Sequence, residues 1–245
     1  MMTTETRFKG GLRIRQKRKG YRFSIDAAIL AHHVSLKDAG VAVDLGTGCG
    51  IIPLILACRF PLAQIYGIEI QKDLAELASH NVRLNHMEDR ITIFHTDMKD
   101  YRSCLEPGVA DVVFSNPPYR KLLSGRLNPD PERSVAKHEV KACLSDVLST
   151  AEKLLKNSGR LAVIYPADRA VDVLTQMRAF RLEAKRLRFV HSRKDSDAEL
   201  VLAEGIKHGN PGLKVSPPLV VARTDGGYTD EVRAMIGATP EPSLT

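Results

Sequence analysis

Long apolar runs are absent from this sequence of 245 residues. The longest, residues 51–57, is far shorter than the roughly 20 residues that a helix needs to cross a bilayer. The basic N-terminus has no apolar stretch typical of a signal peptide, so no secretory leader is predicted. The four cysteines form no Cys-x-x-Cys pair, which argues against a zinc site or a disulfide framework. We therefore expect reduced thiols, no metal, no membrane contact and a cytoplasmic location.

Two common nucleotide-binding signatures are also missing. No Gly-x-x-x-x-Gly-Lys-Ser/Thr segment occurs, so phosphoryl transfer is not supported. The dinucleotide fingerprint Gly-x-Gly-x-x-Gly is absent as well, because Ile51 stands where its third glycine would follow Gly46 and Gly48. The glycines instead follow a Gly-x-Gly-x-Gly spacing that ends at Gly50, and such a turn lets the backbone lie close to a ligand.

Strand and helix patterns alternate from residue 41 onward. The alternation predicts an α/β fold with one doubly wound, mainly parallel, seven-stranded sheet and helices on both faces. We expect Gly159 to end the third helix and Asp168 to cap the fourth. The predicted strands are residues 41–45, 64–69, 90–95, 109–115, 160–165, 186–191 and 200–206, and the predicted helices are residues 51–59, 71–84, 137–156 and 168–180.

A chain of this length most often forms one domain with additions. We expect residues 1–40 to be a basic extension packed on a main domain of residues 41–222, with residues 223–245 as a C-terminal tail. The polar end of the chain predicts fraying after Asn210. A loop of 17 residues, 120–136, is long enough to suggest that it covers a substrate.

Polar residues follow the predicted strands where these strands end. Asp44 and the glycine turn end the first strand, Glu69 ends the second, and Asp97 follows the third. Glu69 stands at about the distance at which an acidic residue binds ribose hydroxyls in dinucleotide folds. Asp97 is suited to accept a hydrogen bond from an adenine amino group. Together with the glycine spacing, this pattern favours S-adenosylmethionine over NAD as the ligand.

The tetrapeptide Asn116-Pro117-Pro118-Tyr119 follows the fourth predicted strand. An exocyclic amine conjugated to a ring or carbonyl is a poor nucleophile, because its lone pair is delocalised. The Asn116 side-chain oxygen and the Pro117 carbonyl are placed to accept both N–H groups of such an amine, which localises the lone pair. The Tyr119 ring is suited to stack on a flat substrate. The prolines stiffen the turn, so the geometry is set before substrate arrives.

The net charge of +7 is concentrated in the N-terminal segment. Removing the eight basic residues of one acid-free stretch leaves 28 basic against 29 acidic residues. Clusters of this kind favour a nucleic acid, because phosphate neutralisation releases counterions. The first cluster comprises Arg7, Lys9, Arg13, Arg15, Lys17, Arg18, Lys19 and Arg22, and a second comprises Arg178, Arg181, Lys185, Arg186, Arg188, Arg193 and Lys194.

These motifs resemble those of class I S-adenosylmethionine-dependent methyltransferases with an Asn-Pro-Pro-Tyr motif. Residues 7–222 resemble most closely the bacterial family that methylates N6 of adenine 37 in tRNA(Val). The likeness rests on residues 16–27, 44–50, 116–119, 136–139, 159–169 and 185–188.

The resemblance implies a Rossmann-like fold, S-adenosylmethionine as methyl donor, tRNA as partner through the two basic clusters, and a monomer or homodimer. Asn116, Pro117, Pro118 and Tyr119 would be catalytic, and Tyr21, Phe23 and Asp26 would close the methionine end of the pocket. The implied cofactor residues are Tyr21, Phe23, Asp26, Asp44, Gly46, Thr47, Gly48, Gly50, Glu69, Ile70, Asp97, Met98 and Asn116.

Other acceptors stay open on the residues alone. Glutamine N5 in a protein such as a release factor matches the same tetrapeptide, but too few residues precede the first strand for a separate helical substrate domain. Guanine N2 in ribosomal RNA also fits. A non-enzymatic alternative is an RNA-binding module on a methyltransferase fold, against which the intact glycine turn and tetrapeptide argue.

Overall fold

The computed structural model describes residues 3–7, 11–17, 25–37, 39–117 and 144–236. Its strands are β1 (Thr3–Arg7), β2 (Arg13–Lys17), β3 (Val41–Leu45), β4 (Gln64–Glu69), β5 (Ile91–His95), β6 (Ala110–Ser115), β7 (Leu155–Pro166), β8 (Leu182–His191), β9 (Ala198–Lys207), β10 (Lys214–Val215) and β11 (Leu219–Val220). Its α-helices are α1 (Ile25–His33), α2 (Ile51–Arg59), α3 (Lys72–Leu84), α4 (Leu144–Leu154), α5 (Ala170–Ala179) and α6 (Asp230–Ile236).

One large sheet organises the chain, in the order β10-β8-β9-β7-β6-β3-β4-β5, with β11 also paired to β8. Strands β5, β4, β3, β6 and β7 are parallel, whereas β9 runs antiparallel to both of its neighbours, β7 and β8. The seven longer strands are those that the sequence predicts. Strands β10 and β11 have two residues each and pair with β8 at the outer side of the sheet. They are too short for a periodic sequence pattern to reveal.

Both faces of the sheet are covered, so the central strands are mainly apolar on both sides. Strand β6 divides its side chains between two cores, because successive residues point to opposite faces. Val112 and Phe114 join the core beneath α1 and α2, while Val113 joins the core beneath α4 and α5. Full burial of a side chain such as Phe114 contributes about 2–3 kcal/mol to stability.

Two details around β7 differ from the sequence prediction. Within the described residues the third predicted helix ends at Leu154, and Gly159 lies inside β7 instead of ending that helix. A Cβ at Gly159 would lie 2.9 Å from the Lys156 carbonyl oxygen, so glycine there permits close backbone packing next to an irregularity in the β6–β7 pairing. Asp168 does not cap α5: it lies in the short 3-10 helix Ala167–Arg169, and α5 begins at Ala170 without a side-chain cap.

The two ends of the chain are more structured than expected. Strands β1 and β2 form an antiparallel hairpin beside α3. After Asn210, where the sequence predicts a tail, β10 and β11 join the sheet and α6 packs on α1 with Val232 fully buried. None of the helices in the described ranges has both the length and the apolar character that crossing a membrane requires.

Candidate active site

Four neighbouring strands, β5, β4, β3 and β6, end at one edge of the sheet. Since they are parallel, their carboxyl ends bring together the glycine turn after β3, Glu69 at the end of β4, Asp97 after β5 and Asn116 after β6. A crevice at this edge is where ligands bind in open α/β sheets. The topology thus brings these four sequence-predicted positions to one edge of the sheet.

The glycine turn is fixed to β4 by backbone hydrogen bonds. The Gly46 and Thr47 amides both donate to the Ile68 carbonyl oxygen, at 2.9 and 3.0 Å. The Gly48 amide donates to Glu69 Oε2 at 2.8 Å. Glu69, at the end of β4, therefore shapes the turn, a role that spacing alone does not reveal.

Two glycines of the turn are required for different reasons. Gly46 and Gly50 have φ values of +78° and +81°, which side-chain-bearing residues rarely adopt. A Cβ at Gly46 would meet no atom of the described residues within 4 Å, so this glycine borders open space in that part of the structure. A Cβ at Gly50 would lie 3.2 Å from Ala78 Cβ, so that glycine lets the turn pack on α3.

Asp44 is fully buried at the end of β3. Among the described residues, neither of its carboxylate oxygens has a hydrogen-bond partner, and the buried Thr47 hydroxyl has none either. Burial raises the pKa of Asp44 to about 8; the nearby Thr47 hydroxyl opposes this shift only in part, and the Glu69 charge adds to it. Unpartnered buried polar atoms cost about 1–3 kcal/mol each, which marks this spot as one suited to a polar ligand.

Glu69 has acceptor capacity left over. Its Oε1 accepts from the Gln71 amide at 2.9 Å, and its Oε2 accepts from Gly48, yet a carboxylate offers about four lone-pair sites. Burial raises the pKa of Glu69, and the hydrogen bonds from the backbone amides oppose that rise. The lone pairs that these amides leave unused suit a further donor such as a hydroxyl group.

Asp97 is less available than the sequence predicts. Its Oδ1 accepts from the Lys99 amide at 2.9 Å and so caps the 3-10 helix Met98–Ser103, and the Lys99 ammonium lies 3.5 Å from its Oδ2. Beside it Met98 is buried, while Ile70 is 49% exposed. An apolar side chain exposed at this edge offers contact to a flat ring.

The start of the Asn-Pro-Pro-Tyr motif is tied to the glycine turn by a residue that sequence reasoning missed. The buried Ser115 hydroxyl donates to the Leu45 carbonyl oxygen at 2.6 Å, which joins the ends of β6 and β3. Asn116 is half-buried and Pro117 is buried. The small polar residue directly before the motif was the available signal.

Of the remaining predicted site residues, one is described by the structure and four are not. Asp26 lies half-buried in the first turn of α1. Gly67, which was not predicted, gives the turn room, because a Cβ there would lie 3.0 Å from the Thr47 side chain and 2.8 Å from Ile93 Cδ1. Four predicted residues lie outside the described residues: Tyr21, Phe23, Pro118 and Tyr119.

The basic clusters are more neutralised than their sequences indicate. In the first, Arg13 and Arg15 lie 2.9 and 3.5 Å from Glu5 on the neighbouring strand. In the second, three of the seven basic side chains form ion pairs: Arg178 with Glu183, Arg186 with Glu204 and Arg188 with Glu231. Glu5 and Glu183 lie close in sequence to the arginines that they pair with, whereas Glu204 and Glu231 come from more distant parts of the chain, so ion pairs offset part of the charge of each stretch.

Arg193 and Lys194 differ from those paired residues. They follow β8, which is parallel to β7, and so lie at the same edge of the sheet as the crevice. With Arg223 they line a cavity of about 610 Å³. Within the described ranges, no group of three His, Cys, Asp or Glu side chains is arranged to hold a metal ion.

Comparison with known proteins places this geometry in a family. The predicted Rossmann-like class I methyltransferase fold is confirmed by a crystal structure described as a predicted O-methyltransferase from Agrobacterium tumefaciens: the TM-score is 0.71 at 21% identity, covering 89% of this chain and 100% of that chain.

Relatives by sequence agree. A Porphyromonas gingivalis protein named tRNA1(Val) (adenine(37)-N6)-methyltransferase is 38% identical over 196 residues, 77% of this chain and 75% of that protein. A Tolumonas auensis protein of the same name is 27% identical over 223 residues, 91% of each chain. The family model described as the methyltransferase small domain matches residues 21–185, well over half of the sequence. The chain therefore belongs to the methyltransferase small domain family.

Proposed function

We propose that this protein transfers the methyl group of S-adenosylmethionine to N6 of an adenine in tRNA, in the anticodon loop of tRNA(Val). The observation that carries the proposal is the position of Asn116 and Pro117 directly beyond β6, joined through Ser115 to the glycine turn. The names of the relatives from P. gingivalis and T. auensis support the adenine acceptor over glutamine and guanine.

The residues present fit the methyl donor. The unpartnered Asp44 carboxylate suits the cationic amino group of the methionine moiety, and the open space at Gly46 leaves room for the ligand. The free lone pairs of Glu69 suit the ribose hydroxyls. Ile70 and Met98 would contact the adenine ring, with Asp97 beside its amino group. Thr47, Gly48, Gly50 and Asp26 complete the proposed set, together with Tyr21 and Phe23.

Bound S-adenosylmethionine supplies an electrophilic methyl group on a sulfonium. The chain contributes position and electrostatics. The Asn116 side-chain oxygen and the Pro117 carbonyl oxygen accept the two N–H groups of the substrate amine, which directs its lone pair toward the methyl group. Tyr119 stacks on the base, with Pro118 fixing the turn.

A base stacked in a helix cannot reach such a crevice, so the substrate is an unpaired or flipped base, as in an RNA loop. Arg193 and Lys194, at the same edge, are placed to contact phosphates that flank that base. Phosphate contacts orient an RNA and do not read its sequence, so the identity of the adenine depends on other contacts.

Methylation of total tRNA from cells that lack this gene tests the proposal. The purified protein, labelled methyl donor and tRNA should yield N6-methyladenosine after digestion to nucleosides. Asn116→Ala should abolish turnover while the dissociation constant for S-adenosylhomocysteine changes by no more than a few-fold. Asn210→Ala, at an exposed site outside the crevice, is the matched control and should retain activity.

Several outcomes would overturn the proposal. Label found only in protein would point to glutamine, and N2-methylguanosine would point to the guanine reaction. Near-normal turnover of the Asn116 variant would remove the catalytic assignment. Salt-sensitive RNA binding without affinity for S-adenosylhomocysteine would leave only an RNA-binding role.

A further inference from the structure

Two side-chain amides at helix α3 make hydrogen bonds to the backbone of β2 that resemble those between neighbouring strands. Asn81 Oδ1 accepts from the Arg15 amide and Asn81 Nδ2 donates to the Arg15 carbonyl oxygen, both at 2.9 Å. Asn85 repeats the pattern on Arg13, at 2.8 and 2.7 Å. Four residues of a helix and two residues of a strand both rise by roughly 6 Å. Side-chain amides four residues apart along α3 therefore have the same spacing as every second residue of β2.

Asn81 makes one contact that Asn85 does not make. Its Nδ2 also donates to the carbonyl oxygen of Cys49, in the glycine turn, at 2.9 Å. The corresponding bond of Asn85 returns to its own helix, at the Asn81 carbonyl oxygen, at 2.7 Å. Asn81 is fully buried, and Cys49 is almost so. A single side-chain amide thus holds both the hairpin and the glycine turn.

The glycine turn depends on such external contacts for its shape. Three glycines with positive φ, Gly46, Gly48 and Gly50, give it wide intrinsic freedom. On one side it is held by β4 through Ile68 and Glu69. On the other side it meets α3, at Ala78 and Asn81, and a buried Cys49 carbonyl left without its donor would favour another arrangement.

We propose that Asn81 is a positioning residue that couples the hairpin to the cofactor site. Docking of β2 orients the Asn81 amide, and the oriented amide holds the glycine turn in its binding conformation. Coupling between two equilibria is reciprocal, so cofactor binding also stabilises the docked hairpin. The inference rests on the proposed cofactor site.

Two variants separate this coupling from simple support of the hairpin. Asn81→Ala and Asn85→Ala each remove two hydrogen bonds to β2, but only Asn81→Ala removes the bond to Cys49. We expect Asn81→Ala to weaken binding of S-adenosylhomocysteine about tenfold by calorimetry, and Asn85→Ala to change it less than twofold. Equal affinities for the two variants would overturn the proposal.

Hydrogen exchange provides the second readout. In the wild-type protein S-adenosylhomocysteine should slow amide exchange in the peptide that contains Arg13 and Arg15. That protection should persist in Asn85→Ala and disappear in Asn81→Ala. If Asn81→Ala does not fold, the wild-type and Asn85→Ala measurements decide, and absence of hairpin protection in both overturns the coupling. Wild-type protein that fails to bind S-adenosylhomocysteine would instead refute the proposed function.

Discussion

Replacing Asp44 by asparagine separates what this side chain costs the fold from what it contributes to binding. Asparagine keeps the shape and removes the charge. Because burial raises the pKa of Asp44 from 3.8 to about 8, the folded protein keeps a proton that the unfolded chain loses between these values. The contribution of Asp44 to stability is therefore full below about pH 4 and is lost as the pH rises toward 8.

The size of the effect follows from the shift. At pH 7, about three pH units above its usual pKa, Asp44 is ionised in the unfolded chain and must take up a proton when the chain folds. At 1.36 kcal/mol per unit, this protonation costs about 4 kcal/mol. Asp44→Asn should recover up to this amount at pH 7 and almost nothing at pH 4. For a chain of this size, that corresponds to a rise in Tm of about 10 °C.

Binding should change in the opposite direction. Loss of a charged hydrogen bond to the methionine amino group costs about 1.5–3 kcal/mol, or a tenfold to hundredfold weaker affinity for S-adenosylhomocysteine. Because Asp44 must ionise to pair with a cation, wild-type binding at pH 7 should release most of one proton and should strengthen as the pH rises toward about 8. Calorimetry in buffers of different ionisation enthalpy measures that proton.

Thermal unfolding of both proteins from pH 4 to 8 provides the companion measurement. Asp111→Asn is the control of opposite sign: burial raises the pKa of Asp111, but the Val41 amide and Lys156 together lower it below its usual value. Its contribution is present at neutral pH and is lost on acidification. If Asp44→Asn gains no stability between pH 5 and 8, or releases the same proton on binding, the reasoning is wrong.

Three further substitutions test the crevice. Gly46→Ala and Gly50→Ala should each lower the free energy of unfolding by about 1 kcal/mol, because both positions have a positive φ. Gly50→Ala should lower Tm further through contact with α3, whereas Gly46→Ala should mainly weaken cofactor binding. Equal calorimetric affinities of the two variants for the cofactor would contradict this distinction. Ser115→Ala should cost about 1–2 kcal/mol in denaturant unfolding and lower kcat more than cofactor affinity, and an unchanged kcat would remove its positioning role. Glu69→Gln replaces one carboxylate oxygen by an NH2 group, so the side chain no longer offers one oxygen to each of the two backbone amides. The affinity of this variant for S-adenosylhomocysteine should fall at least tenfold, and wild-type affinity would exclude a role of Glu69 in cofactor binding.

Much of the fold and the assembly of the site were predictable because their signals are local. A polar residue lies at or just beyond the carboxyl end of each of four neighbouring strands, and parallel pairing alone brings Asp44, Glu69, Asp97 and Asn116 to one edge. The chemistry of the Asn-Pro-Pro-Tyr motif follows from its residue types. The methyltransferase family and fold, predicted from these motifs, are confirmed.

What the sequence did not reveal depends on long-range partners. The backbone amides of Arg15 and Arg13, at the edge of the hairpin, donate hydrogen bonds to Asn81 and Asn85, which lie more than 60 residues away in sequence. No local period in the sequence indicates such a pairing. Glu5 and Glu231 neutralise arginines that a residue count leaves unpaired. The domain boundaries, the roles of individual site residues, the cytoplasmic location and the choice between monomer and homodimer stay predictions.

The packing of α6 on α1 has a consequence for how the chain is made. Leu12 and Ile14 of the hairpin region, the buried face of α1 and Val232 of α6 belong to one core. A ribosome releases the hairpin and α1 well before Val232, which lies far further along the sequence. The growing chain therefore carries an open apolar face until α6 has been made, a state prone to aggregation. A chain that lacks α6 would leave that face permanently uncovered, so docking of α6 on α1 closes this core during biogenesis.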